Sequence, residues 1–329
     1  MQFFSHDLGI DLGTSNVLIC TADHGVTIRE PAVVAMDKNT GKLLQVGAAA
    51  RNMLGRTPGN VVAMHPLQDG VIADHDMTVK MLQKFFQGSK TSSLFTPKPR
   101  VIISVPSSVT QMDERAVINA AIEAGARRVY LIEEPLAAAL GAGLDISGPK
   151  GHLIVDIGGG TTDIAVLSMN GVATSSSIKL AGNHFDEAIA RYIRSKYHVI
   201  IGQSTAEDIK IQIGSVYPHN DDVSMSVKGR DAKSGIPREF AVTSSESAPS
   251  CRDPPSGLLT KYCPFWKTPL QNWWATLPKP ASYSPAAAAS CWAWTCCCRS
   301  APVFPAPLLM TRPPAWPTAV ARAFPGSIK

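Results

Sequence analysis

Two segments of the chain share one pattern, and this pattern constrains the fold more than any other feature of the sequence. In each, an apolar strand carries an Asp near its end, a Gly-containing turn with hydroxyl residues follows, and a second apolar strand comes next. The segments are residues 7–20 and 153–167, with Asp11 and Asp156 at equivalent positions. Apolar runs on both sides of such a turn predict β-hairpins. Two copies about 145 residues apart predict a duplicated α/β unit whose turns face each other across a cleft.

Both turns have the chemistry of a phosphate cradle. Glycines allow backbone N–H groups to approach an anion closely, and the Thr and Ser hydroxyls add further donors. Asp11 and Asp156 would then face a phosphate-bound cation, and Mg²⁺ takes one or two carboxylates together with phosphate oxygens and water. One Gly-rich hairpin by itself is more often a plain turn, so the pair is the specific signal.

Strands and helices alternate between the two hairpins. Residues 99–107 predict a buried strand, and residues 110–126 predict a helix. Thr110 is the expected N-cap of that helix, and Asp113 at the third helical position makes a near relative of a capping box.

Two acidic residues, Glu133 and Glu134, lie at the next junction between a strand and a helix. The strand is predicted over residues 129–132 and the helix over residues 136–143, with Pro135 at the first helical position. A carboxylate at such a junction can orient or activate a water molecule. It can equally do no more than favour the helix N-terminus electrostatically. Position alone leaves both interpretations open.

Taken together, these residues resemble the ATPase fold that actin, Hsp70 and sugar kinases share. The resemblance is carried by residues 11–14, 134–135 and 156–162. Further motifs are similar to the bacterial actin MreB and its MreB-like paralogues. They lie at residues 55–60, 66–74, 129–143 and 205–210. The similarity extends from Ser5 to about Glu246.

The resemblance implies a fold and a division into domains. The expected fold is α/β, an actin-like (ribonuclease H-like) duplicated ATPase with two lobes around a nucleotide cleft. Residues 1–145 would form lobe I, with an inserted subdomain at about 30–78, and residues 146–246 the first part of lobe II. The second lobe is expected to be incomplete, because residues 247–329 do not resemble the family.

The resemblance also assigns roles to residues. ATP and Mg²⁺ are the implied cofactors, with Asp11 and Asp156 holding the ion and its waters. Glu134 would position the attacking water, and Glu133 is the second candidate. Phosphate contacts fall on Gly13, Thr14, Ser15, Asn16, Gly158, Gly159, Gly160 and Thr161. Glu207 and Lys210 match the segment that lines the nucleoside side of the cleft, although a helical ion pair between them is the alternative.

The implied function is a membrane-associated filament that maintains rod cell shape by organising cell-wall synthesis, with slow Mg-dependent ATP hydrolysis. Its partners would be further copies of itself, the inner face of the cytoplasmic membrane and cell-wall elongation proteins.

Leu94 and Phe95 lie in a Ser- and Pro-flanked loop that resembles the membrane-inserting loop of the family. Simple packing of that loop is the alternative. The expected location is cytoplasmic and peripheral at the membrane, since the sequence has neither a secretory signal nor a run of 18 apolar residues.

The last 83 residues have a different composition from the rest of the chain. All six Trp, six of the seven Cys and 15 of the 25 Pro lie beyond Glu246. That segment carries eight Lys or Arg and one acid, a net charge of +7, so residues 1–246 carry −2 of the total of +5. The basicity therefore belongs to the tail, and no nucleic-acid partner is predicted for the main body.

A frameshift shortly after Glu246 accounts for this tail. When it is back-translated and read one nucleotide out of register, four stretches permit runs that resemble the missing family motifs, in the order of the family. They are residues 266–276, 284–288, 291–295 and 314–322. A natural Pro-rich interaction segment is the alternative. On either interpretation the cleft lacks its far wall, and the chain is expected to fold poorly or to be functionally impaired.

Two other functional classes use the same turns. An Hsp70-type chaperone ATPase would have a longer chain with a β-rich peptide-binding module, which the sequence does not resemble. A small-molecule kinase would need substrate-specific polar residues in the cleft, and the motifs between Gly55 and Asp74 argue against it.

Overall fold

The computed structural model describes residues 7–21, 24–55, 57, 59–88, 98–214, 222–246 and 309–310. The chain divides into two compact units, residues 1–179 with 311–329 and residues 180–310. Leu94, Phe95 and almost all of the tail beyond Glu246 lie outside the described residues. The lobe boundary near residue 145 stays a prediction. None of the helices in the described part of the chain has the length and apolar character needed to cross a bilayer.

The described residues of the first unit form thirteen strands and four helices. The strands are β1 (Asp7–Leu12), β2 (Asn16–Thr21), β3 (Gly25–Pro31), β4 (Val34–Asp37), β5 (Leu43–Val46), β6 (Val61–Met64), β7 (Leu67–Gln68), β8 (Val71–Ile72), β9 (Arg100–Val105), β10 (Arg128–Glu133), β11 (His152–Ile157), β12 (Thr162–Ser168) and β13 (Gly171–Ile178). The helices are α1 (Gly47–Arg51), α2 (His75–Gly88), α3 (Gln111–Glu123) and α4 (Glu134–Gly141).

The larger sheet of this unit has five strands in the order β10-β9-β1-β2-β3. β1, β2 and β3 are antiparallel neighbours, whereas β9 pairs in parallel with both β1 and β10. Arg100 ties the start of β9 to β1 through two hydrogen bonds to the Asp7 carboxylate, at 2.7 and 2.5 Å. Apolar side chains of β1, β2 and β9 form the core with the buried faces of α2 and α3. This packing fixes the end of β1, where Asp11 lies.

The second predicted hairpin is also present, as the antiparallel strands β11 and β12, and β13 continues it. Every residue of β12 is buried. Helix α4 packs against β11 and β12 through its Ala-rich face. The second hairpin is therefore held by α4 and by β13, and its turn at residues 158–161 lies between two paired strands.

The two predicted helices are present with shifted ends. The capping box of α3 is confirmed, because Thr110 Oγ1 accepts a hydrogen bond from the Asp113 N–H and the Thr110 N–H donates to the Asp113 carboxylate. α3 ends at Glu123, three residues earlier than predicted, and Gly125 follows with a φ of +116°. α4 begins at Glu134, so the glutamate is itself the first helical residue.

The second unit contains α5 (Gly182–Tyr197), β14 (Val199–Ile200), α6 (Gln203–Ile213), β15 (Ser224–Asp231), β16 (Pro237–Thr243) and β17 (Leu309–Met310). Its core is formed by buried apolar residues of the two helices and of β14, β15 and β16. Near the end of the family-like segment, Glu246 forms an ion pair with Lys196 and accepts a hydrogen bond from Tyr197 Oη at 2.7 Å. These contacts hold the pKa of Glu246 below its ordinary value.

Candidate phosphate-binding site

The sequence predicts that the turns of the two hairpins face each other across a cleft, and in the structure they lie in contact. A Cβ atom on Gly160 would lie 2.7 Å from Thr14 Oγ1, and one on Gly159 would overlap the Ser15 side chain. No side chain fits at either glycine without displacing the opposite turn. The first turn, residues 13–15, and the second turn, residues 158–161, therefore form one continuous surface.

The first turn is held by elements outside its own hairpin. Thr14 Oγ1 accepts a hydrogen bond from the backbone N–H of Gly70, at 3.0 Å. The carbonyl oxygen of Ser15 accepts one from the N–H of Ala32, at 2.9 Å. Thr14 is buried, so its hydroxyl has little contact with bulk water.

The second turn is closed by its own backbone. The N–H of Gly158 donates to the carbonyl oxygen of Thr161 at 2.9 Å, and a Cβ on Gly158 would lie 3.2 Å from the same oxygen. Asp156 and Thr161 are both buried. The tight approach explains why this turn is built from glycines.

Four carboxylates lie on the strands next to the two turns and on α4, namely those of Asp11, Asp156, Asp163 and Glu134. Burial raises the pKa of Asp11 to about 7, against a hydrogen bond from Ser104 Oγ at 3.4 Å that lowers it. Burial also raises the pKa of Glu134 well above its ordinary value, and the negative charges of Asp163, Asp156 and Asp11 add to the effect. The charges are therefore mutually unfavourable at neutral pH, which is the situation that a bound cation relieves.

Among the described residues, no three His, Cys, Asp or Glu side chains lie close enough to hold a metal ion by themselves. A cation at Asp11 and Asp156 would take its remaining ligands from phosphate and water. This is the coordination that Mg²⁺ prefers, so the side chains present fit the ion.

The sequence analysis assigns no role to three features that lie near the turns. Ser104 is a single hydroxyl in the apolar strand β9, and its side chain reaches Asp11. Asp163 is buried in β12, and its Oδ1 accepts a hydrogen bond from the Ser107 N–H at 2.9 Å. Asp69 and Gly70 form the turn between β7 and β8, whose Asp-Gly pair is a hairpin signal. For Ser104 and Asp163, the clue available in the sequence was a polar residue within an apolar run.

The two remaining predicted residues lie in the second unit, on α6. Lys210 Nζ is 2.8 Å from Oδ1 of the buried Asp186 and donates a hydrogen bond to the carbonyl oxygen of Gly182 at 3.1 Å. Both partners belong to α5, so Lys210 connects α6 to α5. Glu207 lies one turn before it.

Comparisons with known proteins show the family and the fold to which the chain is similar. A family model described as MreB/Mbl protein matches residues 5–261, so the similarity to the family extends 15 residues beyond Glu246, where the sequence analysis ends it. The chain is 50% identical over 250 residues to the cell shape-determining protein Mbl of Bacillus subtilis (strain 168), covering 76% of this chain and 75% of that one. It is 47% identical over 261 residues to the cell shape-determining protein MreB of Escherichia coli (strain K12), covering 78% and 75%.

Among solved structures, MreB 5 of Spiroplasma citri bound to AMPPNP matches with a TM-score of 0.85 at 34% sequence identity. The alignment covers 98% of this chain and 95% of that one.

Proposed function

Since this chain belongs to the MreB/Mbl family and has its actin-like fold, we propose that it is a nucleotide-binding bacterial actin with a role in cell shape. In full, the proposal is an ATP-dependent protein that assembles into membrane-associated filaments and maintains rod shape by organising cell-wall synthesis. The relatives are named for cell-shape determination, and the S. citri protein was crystallised with an ATP analogue. Family membership favours this class over a chaperone ATPase or a small-molecule kinase.

One observation carries the proposal within the first unit. The two glycine-containing turns touch each other, and the strands that lead into them carry Asp11 and the buried Asp156. Backbone N–H groups and hydroxyls of the turns would bind the β- and γ-phosphates. The ligand set is residues 13–16 and 158–161, as the sequence analysis predicts.

Asp11 and Asp156 would hold Mg²⁺ through the ion's waters, and the ion would neutralise charge on the phosphates. Glu134, at the first position of α4, would accept a hydrogen bond from a water molecule and orient it towards the γ-phosphorus. The water oxygen forms the new bond to phosphorus, and the bond from the γ-phosphorus to the bridging oxygen breaks. ADP leaves with that electron pair, and the proton of the water ends on phosphate. Glu133 ends β10 and remains the second candidate.

On the nucleoside side we assign Glu207 and Lys210, from the family resemblance. An ammonium group has three donors. Asp186 and the Gly182 carbonyl occupy two of those of Lys210, and the third would donate to a ligand oxygen.

The membrane and partner assignments rest on the resemblance alone. Leu94 and Phe95 would insert into the inner face of the cytoplasmic membrane, each contributing roughly 2 to 3 kcal/mol when buried in lipid. This is enough for a polymer that binds through many copies, and too little for a monomer. The further partners would be copies of the same chain and the cell-wall elongation proteins.

The tail is the part of the proposal that concerns this chain in particular. We assign residues 247–329 to a frameshifted reading, which leaves lobe II incomplete and the activity impaired. Resequencing the gene between the codons for Ser244 and Pro255 tests this directly. If one inserted or deleted nucleotide disappears on resequencing, the true product is a full-length bacterial actin, whereas an unchanged reading means that the shift is real and this chain is the product of a frameshifted gene.

The functional test uses the purified full-length chain. Isothermal titration with Mg-ATP measures binding, phosphate release measures hydrolysis, and sedimentation with and without anionic vesicles measures filaments and membrane association. Glu134→Gln is expected to keep ATP binding and to lower hydrolysis about 100-fold or more. Glu187→Gln is the matched control, because Glu187 is exposed on α5. Absence of ATP binding by the unmodified chain would contradict the proposed function for this polypeptide.

A further inference from the structure

A third turn contacts both phosphate turns. It joins β7 to β8 and consists of Asp69 and Gly70, with φ values of +49° and +78°. Left-handed backbone at both central positions defines the tight type I′ hairpin turn, for which Asp-Gly is a preferred pair. The turn is therefore a stable local structure that can hold its N–H groups in fixed directions.

The contacts of this turn are close on each side. The Gly70 N–H donates to Thr14 Oγ1 of the first turn at 3.0 Å. A Cβ on Gly160 of the second turn would lie 3.0 Å from Asp69 Cα. A Cβ on Gly70 would lie 3.0 Å from Thr161 Cγ2. Three turns that are far apart in the sequence thus meet at one place.

The hydrogen bond to Thr14 determines how its hydroxyl can act. A hydroxyl has one hydrogen to donate and two lone pairs to accept with. Because the Gly70 N–H occupies a lone pair, the hydroxyl hydrogen is directed away from Gly70 and is available to an acceptor. Phosphate oxygens are acceptors, so a hydroxyl held in this state suits a phosphate ligand.

We propose that the backbone N–H of Gly70 is a positioning group, which fixes the Thr14 hydroxyl as a hydrogen-bond donor to a phosphate of the bound nucleotide. The β7–β8 hairpin is then a third element of the phosphate site. The inference rests on the proposed function, since it takes the nucleotide phosphate as the ligand. The Asp69 side chain has no part in it, so Asp69→Asn, which preserves the turn, is expected to change phosphate affinity less than twofold.

The test replaces the Gly70 amide by an ester in the full-length chain, which removes the N–H without adding a side chain. The same replacement at Gly41 is the matched control, because that N–H donates to the Asp37 carbonyl in another turn with a φ of +64° at the glycine. Dissociation constants are measured for Mg-ATP and for adenosine. The Gly70 ester is expected to weaken Mg-ATP about 5- to 10-fold and to leave adenosine unchanged. The Gly41 ester is expected to change neither.

Two variants of Thr14 show whether the effect of the Gly70 ester on Mg-ATP affinity depends on the Thr14 hydroxyl. In Thr14→Val, which has no hydroxyl, the Gly70 ester should cause no further loss of Mg-ATP affinity. In Thr14→Ser, which keeps the hydroxyl, the loss should remain. An unchanged Mg-ATP affinity of the Gly70 ester, an equal loss for adenosine, or the same loss in Thr14→Val would overturn the inference while leaving the proposed function intact. If the unmodified chain binds adenosine and ATP equally or not at all, the proposed function fails, and this inference fails with it.

Discussion

The two phosphate turns have the same order of elements, yet they are held in place differently. The first depends on neighbours from other parts of the chain, through the Gly70 N–H on Thr14 and the Ala32 N–H on Ser15. The second closes on itself, through the hydrogen bond from Gly158 to Thr161. Under the proposed function, the first turn would contribute positioned hydroxyls, and the second would contribute backbone in places where a side chain is excluded.

The largest effect should come from filling the contact between the turns. Gly160→Ala would place a methyl group 2.7 Å from Thr14 Oγ1 and 3.0 Å from the backbone of Asp69, so that two turns must move. We expect Mg-ATP affinity to fall about 100-fold, the upper end of overpacking costs. Gly148→Ala is the control in titration calorimetry, because a Cβ there meets nothing within 4 Å. Binding within threefold of the unmodified chain would show that the turns do not need their contact.

A methyl group inside the first turn should have a smaller effect. In Gly13→Ala the Cβ would lie 2.8 Å from the carbonyl oxygen of Asn16, which begins β2 directly after the same turn. The turn can adjust without displacing its partner, so we expect about a tenfold loss of Mg-ATP affinity. The same titration measures it. A loss equal to that of Gly160→Ala would remove the distinction between contacts within and between the turns.

The carboxylate next to the second turn should matter for stability. Asp163→Ala would leave the Ser107 N–H without its present acceptor, so we expect the free energy of unfolding to fall by about 1 to 3 kcal/mol. Asp163→Asn keeps an acceptor oxygen and should recover most of this loss. Urea denaturation followed by circular dichroism provides the measurement. Equal destabilisation by both substitutions would show that the loss of the negative charge, and not of the hydrogen bond, lowers the free energy of unfolding.

The corresponding contact near the first turn should matter least. Ser104 Oγ lies 3.4 Å from Asp11 Oδ1, at the long end of the hydrogen-bond range. Ser104→Ala is therefore expected to change the free energy of unfolding by about 0.5 kcal/mol or less. The same urea curves test this. A loss of stability as large as that of Asp163→Ala would mean that the two hairpins depend equally on the hydrogen bonds of Asp11 and Asp163.

The sequence was sufficient for both hairpins, because apolar strands on either side of a Gly-containing turn are a local signal. It was also sufficient for the cap of α3, since Thr110 and Asp113 are three residues apart. The contact of the third turn with the first could not be predicted, because the hydrogen bond from Gly70 to Thr14 joins residues 56 positions apart. The pairing of Lys210 with Asp186 was missed for a related reason. Both residues lie on helices, and the sequence does not state which helix faces lie together.

The end of α3 and the start of α4 show a further limit. Gly125 takes a left-handed conformation that ends α3 before the apolar pattern does. Glu134 becomes helical because α4 begins ahead of Pro135, which tolerates a position in the first turn. Both shifts are small, but the second one places the proposed catalytic carboxylate on the helix instead of before it.

The most direct test of the central claim is hydrogen–deuterium exchange of the full-length chain with and without Mg-ATP. The account predicts slower exchange in the peptides that contain residues 13–16 and 158–161 together, and in the peptide that contains Gly70. Adenosine should leave these peptides unchanged. Bound ATP that protects only one of the two turns, or neither, would contradict a phosphate site formed by their contact.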